Sequence, residues 1–189
     1  MSAVSTWVAR FAPLAPQGEA LDLACGTGRH ARLLAALGHP VLAVDRDPQS
    51  LLEAAAPGVQ TLQFDLETGG VPWPFAPGRF AAIVVTNYLH RPLLGELAAS
   101  LAPDGLLIYE TFALGNEAYG KPSNPDFLLA PGELLAFAAF HGLRVLAFED
   151  GVVAAPKPAR VQRLCAGGPD FPWQKVSLDG TGSPGAARF

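Results

Sequence analysis

Residues 20–30, Ala-Leu-Asp-Leu-Ala-Cys-Gly-Thr-Gly-Arg-His, contain the segment that decides the fold. The apolar residues before the glycines are typical of a buried strand, Gly26-Thr27-Gly28 predicts a tight turn, and an Ala/Leu-rich helix is predicted from Arg29. A strand, a glycine turn and a helix in succession bring backbone N–H groups and a helix N-terminus close to a ligand. Glycine suits this turn because a Cβ atom would restrict its dihedral angles and the approach of a ligand.

The composition predicts one globular domain. The chain has 189 residues, half of them hydrophobic and 16% charged, which is typical of a compact protein rather than a disordered one. We therefore expect a single domain over residues 1–189. It would have a short N-terminal helix at residues 3–12 and a loosely packed tail, rich in glycine and proline, at residues 167–189.

Charge and cysteine content narrow the class of protein further. The net charge is −4 without a lysine- or arginine-rich run, which disfavours a nucleic-acid partner. Cys25 and Cys165 lack metal-ligand spacing, so no metal site is predicted, and so few thiols suggest a reducing compartment. Neither a signal peptide nor a membrane-spanning segment is predicted. We expect a soluble cytoplasmic protein, a monomer or a homodimer, with no membrane partner.

Apolar runs alternate with helical patterns along the chain. Strands are predicted at residues 21–23, 41–44, 59–64, 80–85, 106–109, 144–149 and 159–166, and helices at 29–37, 48–55, 92–101 and 131–141. This order predicts an α/β fold: a doubly wound, Rossmann-like, mainly parallel seven-stranded sheet with helices on both faces. Only a proline-containing turn separates the last two strands, so we expect them to be antiparallel neighbours.

Acidic residues occupy the ends of four of the predicted strands. In such sheets ligands bind beyond the carboxyl ends of the strands, where Asp22, Asp45, Asp65 and Glu110 would lie. Each of them alone could be a solvated loop carboxylate or a helix cap, but their joint placement favours a site. Asp45 is suited to accept two hydrogen bonds from a ribose diol.

The acidic residues indicate which charge the ligand carries. The spacing Gly26-x-Gly28-x-x-Ala31 also fits a loose dinucleotide-binding pattern, so the glycines alone are weak evidence. Asp22, directly before the turn, would repel a pyrophosphate and attract an ammonium or sulfonium group. Asp65 is suited to the amino group of an adenine. A cation-bearing adenosine ligand is therefore favoured over a dinucleotide.

Residues 21–28 resemble the first motif of class I S-adenosylmethionine-dependent methyltransferases, an acidic residue followed by three alternating glycines. Ala24 replaces the first of those glycines. The resemblance continues through residues 44–47, 65–66, 80–85 and 103–105. Segments 86–92 and 109–117 resemble a bacterial subgroup similar to tellurite-resistance methyltransferases.

The resemblance implies S-adenosylmethionine as the cofactor. The implied cofactor-binding residues are Asp22, Ala24, Cys25, Gly26 and Gly28 at the methionine part, Asp45 at the ribose, Arg46, Asp65 and Leu66 at the adenine, and Thr86 and Asn87 at the methionine end. Asn87 could instead cap the helix that follows it. The thiol of Cys25 is expected to be a small buried filler rather than a nucleophile.

The reaction of an activated sulfonium methyl group requires little from a protein. An acceptor must be held in line behind the methyl carbon in a dry pocket, and a general base is needed only if the acceptor is protonated when bound. His90 is the candidate base, although it could also pack against or cap the next helix. Tyr88 could form a wall of the methyl pocket or belong to the core.

Four residues are candidates for binding the acceptor: Arg91, Glu110, Asn116 and Tyr119. Arg91 could pair with an anionic acceptor, or instead with Glu96 or Glu110. Residues 111–130 form an insert after the fifth strand that could be a lid over substrate or a static surface loop.

Two further expectations concern aromatic and basic side chains elsewhere. Trp73 and Phe75 could cover the adenine or plug the space beneath a loop. His30 and Arg32 are expected on the solvent side of their helix.

The function predicted from the sequence is methyl transfer from S-adenosylmethionine to a small-molecule acceptor by in-line displacement. A non-catalytic sensor or accessory protein that binds S-adenosylmethionine, and an NAD-dependent oxidoreductase, remain as alternatives.

Overall fold

The computed structural model describes residues 3–68 and 72–176, in which seven strands form one sheet of order β3-β2-β1-β4-β5-β7-β6. The strands are β1 (Ala20–Leu23), β2 (Val41–Asp45), β3 (Val59–Gln63), β4 (Phe80–Thr86), β5 (Leu101–Phe112), β6 (Arg144–Val153) and β7 (Ala159–Gly167). The helices are α1 (Thr6–Phe11), α2 (Arg29–Ala36), α3 (Pro48–Ala54), α4 (Leu94–Ser100) and α5 (Glu133–Phe140).

The strand order confirms the predicted doubly wound sheet. Strands β1 to β5 pair in parallel, whereas β7 runs antiparallel to both β5 and β6. From β1 the chain moves outward to β2 and β3 and then returns to β4 on the other side of β1. The strand order therefore reverses between β1 and β4, which is where sheets of this kind bind ligands.

Apolar side chains cover both faces of the sheet. Strand β4 is buried along its whole length, and its residues alternate between two core clusters. Ala82 and Val84 face a cluster that contains residues of α1, α2 and α3, and Ile83 and Val85 face one that contains residues of α4 and α5. Helices therefore lie on both faces, as predicted. Among the described residues, no helix is long and apolar enough to cross a membrane.

The N-terminal helix is shorter than predicted. Helix α1 begins after Ser5, whose side chain accepts hydrogen bonds from the N–H groups of Trp7 and Val8 and so sets the first turn. A 3₁₀ turn at Ala12–Leu14 follows. The indole N–H of Trp7 donates to the carbonyl of Leu164 at 3.2 Å, so α1 is attached to β7.

The insert at residues 111–130 is anchored at both ends. Strand β5 extends into it as far as Phe112, and Ala113 pairs with Leu129 through an isolated parallel bridge. Leu128 and Leu129 are buried in the core. The segment between Ala113 and Leu128 contains two 3₁₀ turns, Asn116–Ala118 and Pro125–Phe127. Only residues 117–127, in the middle of the insert, are exposed enough to act as a lid.

The predicted loose packing of the tail is wrong for its first residues. Phe171 is only 3% exposed and belongs to the core, and the N–H of Asp170 donates to the carbonyl of Pro103 at 2.9 Å. A Cβ atom at Gly168 would lie 2.2 Å from the carbonyl oxygen of Pro103, so glycine is what allows this approach. Residues 177–189 lie outside the described residues.

Phe171→Ala is expected to lower the free energy of unfolding by about 3 kcal/mol, because it empties a core position. Phe140→Ala is the matched control, since that ring is 85% exposed and its loss should change stability by less than about 0.5 kcal/mol. Urea unfolding of both variants measures the difference. Equal stabilities would contradict the docking of residues 168–171.

Candidate functional site

The glycine turn between β1 and α2 passes over the carboxyl ends of the central strands. Ala24, Gly26 and Gly28 take left-handed φ values of 51°, 53° and 72°, so alternate residues reverse the direction of the backbone. The N–H of Cys25 donates to the carbonyl of Val44 at 2.9 Å, which fastens the turn to β2. Helix α2 then begins with Gly28 as its N-cap and without a side-chain cap.

The two turn glycines are required for different reasons. A Cβ atom at Gly28 would lie 2.6 Å from the Cβ atom and 2.8 Å from the Cα atom of Ala54, so this glycine lets α2 pack against α3. A Cβ atom at Gly26 would meet no protein atom within 4 Å. Gly26 therefore leaves open space above the turn, where a ligand would lie.

Gly28→Ala and Gly26→Ala should separate these two functions. Gly28→Ala is expected to cost about 3 kcal/mol or more of folding free energy, because steric overlap with α3 adds to the left-handed strain. Gly26→Ala should cost only about 1–2 kcal/mol, from strain alone, and should weaken binding of S-adenosylhomocysteine. Urea unfolding and calorimetric titration measure the two effects. A Gly26→Ala variant with wild-type affinity would contradict an open cradle above the turn.

Backbone strain lies at the ends of two adjacent strands. Ala24 and Asn87, with φ values of 51° and 56°, are the non-glycine residues with left-handed backbones in the described part of the chain. Strain of this kind costs about 1–3 kcal/mol per residue and clusters at functional sites. The side chain of Asn87 does not cap the 3₁₀ turn Arg91–Leu93, so the alternative helix-capping role is not seen.

Asp22 lies buried beneath the turn. Its Oδ2 accepts a 2.8 Å hydrogen bond from the N–H of Ala31 in α2, and its Oδ1 is buried without a hydrogen-bond partner among the described residues. Burial raises the pKa of Asp22 to about 8. A cationic ligand group would favour the charged form of this carboxyl.

Asp22→Asn is expected to remove a pH dependence of stability. The pKa of Asp22 rises from 3.8 to about 8 on folding, so the folded protein keeps a proton that the unfolded chain releases in this range. The free energy of unfolding should therefore fall as the pH rises from about 4 to about 8, by up to about 1.4 kcal/mol per pH unit. Urea unfolding of both proteins across this range isolates the effect of Asp22. Parallel curves would contradict it.

Asp45 connects the end of β2 to the glycine turn through a hydrogen bond. Its Oδ2 accepts a 2.8 Å hydrogen bond from the N–H of Gly26, and its Oδ1 accepts a 3.0 Å hydrogen bond from the N–H of Asp47. A carboxylate oxygen has a second lone pair, so both oxygens can still accept from ribose hydroxyl groups.

A cleft of about 210 Å³ opens beside the turn. Its lining contains the predicted site residues Ala24, Asp45, Arg46, Asp65, Leu66 and Tyr88, together with Phe64 and Glu67. Sequence reasoning missed the last two. Phe64 ends the predicted third strand and so had a positional signal, whereas Glu67 had none. The lining contains the three carboxylates of Asp45, Asp65 and Glu67 and one guanidinium, that of Arg46, so the cleft is negatively charged.

The remaining predicted cofactor residues lie outside the cleft lining: Asp22, Cys25, Gly26, Gly28, Thr86 and Asn87. The cleft is smaller than the roughly 300–1,000 Å³ of typical small-molecule sites, so it would hold only part of a nucleoside cofactor. The thiol of Cys25 is buried and donates to the carbonyl of Gly26. Burial raises the pKa of Cys25, which is the behaviour of a filler rather than a nucleophile.

Tyr88 and His90 lie where β4 ends. The hydroxyl of Tyr88 is buried without a partner among the described residues, and burial, followed by the nearby Glu67 carboxylate, raises the pKa of Tyr88. The imidazole of His90 is half-buried and forms no hydrogen bond within the described residues, so it does not cap the turn that follows. The N–H of Glu67 lowers the pKa of Asp65, and His90 adds a smaller effect of the same sign.

Arg91 holds the insert in place. Its guanidinium pairs with Glu133 through two hydrogen bonds of 2.7 and 2.9 Å and donates to the carbonyls of Asp126 and Leu128. The predicted alternative partners, Glu96 and Glu110, are therefore wrong. Glu133 could not be predicted as the partner of Arg91, because the two residues are far apart in the sequence. With these donors used, Arg91 has little capacity left for an anionic acceptor.

Two other residues that were predicted to bind the methyl acceptor form contacts within the protein instead. Glu110 is 8% exposed and pairs with Arg163 of β7. Asn116 is buried, donates to the carbonyl of Pro122 at 2.9 Å and accepts from the N–H of Arg160 at 3.1 Å. Both side chains brace β7 and the insert instead of facing an acceptor. Tyr119 remains exposed.

The expected exposure of His30 is wrong. Its ring is 1% exposed and lies between α1 and the end of β4. Arg32 is half-buried and donates to the carbonyls of Thr27 and Glu53 at 2.8 and 3.1 Å. The partners of both side chains belong to other elements or to the adjoining turn, which a helical pattern alone does not reveal.

Trp73 and Phe75 form a plug beneath their loop. The indole N–H of Trp73 donates to the hydroxyl of Ser100 at 2.7 Å. Phe75 is buried and packs edge-on against Phe80, with ring centroids 5.3 Å apart. Neither residue lines the cleft beside the turn. In the described part of the chain, no group of three or more His, Cys, Asp or Glu side chains is placed to hold a metal ion.

Comparison with known proteins identifies a family that part of the chain resembles. Residues 20–105 match the family model described as a methyltransferase domain. This match runs from β1 into β5, and it confirms the family resemblance inferred from the sequence. No curated protein matches the chain.

Solved structures share the fold over most of this chain at low sequence identity. TehB from Haemophilus influenzae, a tellurite-resistance methyltransferase, matches with a TM-score of 0.72 and 17% identity over 89% of this chain and 63% of its own. This chain thus spans less than two thirds of TehB. Geranyl diphosphate C-methyltransferase from Streptomyces coelicolor, solved with S-adenosyl-L-homocysteine, matches with a TM-score of 0.62 and 16% identity over 85% and 78% of the two chains.

A third structural neighbour belongs to another reaction class. The [4+2]-cyclase SpnF matches with a TM-score of 0.67 and 16% identity over 86% of this chain and 78% of its own. The shared fold alone therefore does not fix the reaction.

Proposed function

We propose that this protein transfers a methyl group from S-adenosylmethionine to a small-molecule acceptor. The observation that carries this proposal is the negatively charged cleft beside the glycine turn, within a methyltransferase domain. The residues present fit the cofactor on two structural grounds. The space above Gly26 is open, and the buried Oδ1 of Asp22 lacks a partner among the described residues.

The cleft lining matches the parts of an adenosine. Asp45 would accept hydrogen bonds from the ribose hydroxyl groups. Phe64 and Leu66 would pack against the adenine, and Asp65 would accept from its amino group. The cleft would thus hold the adenosine, with the methionine part lying along the carboxyl ends of β1 and β4.

The charge of the site favours a cationic cofactor over a dinucleotide. Asp45, Asp65 and Glu67 line the cleft with a single cation, Arg46. A sulfonium or ammonium group is attracted by this arrangement, whereas the two charges of a pyrophosphate are repelled. This is the reason to favour S-adenosylmethionine over NAD.

When bound, S-adenosylmethionine supplies a methyl group that its sulfonium sulfur has already activated. The protein then has to orient the acceptor and exclude water. Tyr88, at the end of β4, would form one wall of the methyl pocket. The imidazole of His90, free of hydrogen bonds within the described residues, would take a proton from a protonated acceptor at one ring nitrogen.

The acceptor is proposed to be small and not a nucleic acid. The chain has a net charge of −4, and the end of β4 is bordered by an insert that Arg91 attaches to α5. Assays with radiolabelled S-adenosylmethionine and a panel of thiols, phenols, carboxylates, tellurite and selenite would identify the accepting atom. Turnover of none of these with intact cofactor binding would favour a sensor or accessory role.

Asp45→Ala is expected to abolish binding of S-adenosylhomocysteine in a calorimetric titration, because both the ribose acceptor and the bond to Gly26 are lost. Asp47→Asn is the matched control two residues away. Its side chain is exposed and caps α3, and asparagine caps a helix equally well. Normal binding by Asp45→Ala would refute the ribose assignment.

His90→Ala should leave the affinity for S-adenosylhomocysteine unchanged and slow methyl transfer about 100-fold or more with an acceptor that is protonated at neutral pH. The measurements are calorimetric titration and single-turnover transfer. A fully active His90→Ala variant with such an acceptor would exclude the base role.

A further inference from the structure

His30 connects the N-terminal helix to the end of β4. Its Nε2 accepts a 3.1 Å hydrogen bond from the N–H of Ser5, and its Nδ1 lies 3.3 Å from the Oγ1 of Thr86. His30 is 1% exposed, its contact with Thr86 is buried, and its contact with Ser5 is partly buried.

The partners of the ring decide its tautomer. A backbone N–H can only donate, so Nε2 must carry a lone pair, and the proton of a neutral ring must be on Nδ1. Nδ1–H therefore donates to Thr86 Oγ1. Burial lowers the pKa of His30 to about 3, so the ring stays neutral and keeps this tautomer at physiological pH.

The hydroxyl of Thr86 is left with a free hydrogen. It accepts from His30, and among the described residues it forms no other hydrogen bond. A hydroxyl that already accepts a hydrogen bond is a stronger donor, because the two bonds polarise each other. Thr86 is thus prepared to donate to an anionic group.

Thr86 lies at the point where the strand order reverses. Leu23 of β1 pairs with Val85 of β4, so Thr86 follows the last pair beside Ala24, the first residue of the glycine turn. The methionine part of the proposed cofactor would extend past this point from the cleft. Its carboxylate is the anionic group that a donor placed here would bind.

We propose that His30 is a positioning residue that orients the hydroxyl of Thr86 as a hydrogen-bond donor to the carboxylate of the methionine part of the cofactor. This inference rests on the proposed function. It adds a residue of α2 that contacts no cofactor atom and acts through Thr86. It also gives α1 a part in the site, because Ser5 fixes the tautomer of the ring.

Two substitutions of His30 separate its two hydrogen bonds. His30→Asn places an amide nitrogen at the position of Nδ1 and keeps a donor for Thr86, but it loses the acceptor for Ser5. His30→Gln places an amide oxygen at the position of Nε2 and keeps the acceptor for Ser5, but it loses the donor. Thr86→Val removes the hydroxyl, and Thr86→Ser retains it.

The readout compares two nucleoside probes. S-adenosylhomocysteine carries the methionine-type carboxylate, and 5′-methylthioadenosine shares its adenosine and thioether but has no carboxylate. His30→Gln and Thr86→Val should each weaken binding of S-adenosylhomocysteine roughly tenfold, as for one hydrogen bond to a charged group, and leave methylthioadenosine unchanged. His30→Asn and Thr86→Ser should restore most of the affinity. The double variant His30→Gln/Thr86→Val should bind no more weakly than Thr86→Val, because both act on one bond.

The outcomes distinguish this inference from the proposed function. Equal losses for both probes, or losses in His30→Gln and Thr86→Val that add in the double variant, would overturn the positioning role. Unchanged affinities in Thr86→Val would do so even if every His30 variant fails to fold. Failure of the wild-type protein to bind S-adenosylhomocysteine would instead overturn the proposed function itself.

Discussion

The hydrogen bond from the N–H of Gly26 to the carboxylate of Asp45 connects the three elements on which the site depends. It joins the end of β2 to the turn that leads from β1 into α2, at a distance of 2.8 Å. The turn must take left-handed backbone conformations to reach this carboxylate, and glycine allows them at two of the three positions. This connection places the N-terminus of α2 and the open space above Gly26 beside the Asp45 carboxylate.

Polar residues near the strand ends divide into two groups. Asp45 and Asp65 line the cleft with accessible oxygens, whereas Glu110, Asn116 and Arg91 are paired with other parts of the protein. The paired residues attach the insert, α5 and β7 to the sheet. At the end of β4, Asn87, Tyr88 and His90 form no side-chain hydrogen bond within the described part of the chain.

The fold narrows the chemistry without deciding it. The same architecture is found in methyltransferases and in a [4+2]-cyclase, at identities of 16–17%. What favours methyl transfer here is the domain match at residues 20–105 together with a cleft charge that suits a sulfonium nucleoside. Under the proposed function, the acceptor would depend on side chains at the end of β4 and in the insert, and loop segments of this kind vary most readily within a fold.

The sequence by itself determined the strand and helix order, the glycine turn and the carboxylates at the strand ends. These features are local: alternating apolar runs, glycine spacing and the residue after each strand identify them without knowledge of distant contacts. Only the tertiary structure decided which polar side chains remain available. His30 was expected to face solvent but is buried beneath α1. Arg91 pairs with Glu133, forty-two positions further along the chain. Phe171 is buried in the core, although the composition of its segment predicts a loosely packed tail. The physical reason is that burial and pairing depend on which elements the folded sheet brings together, and side chains far apart in the chain meet only there.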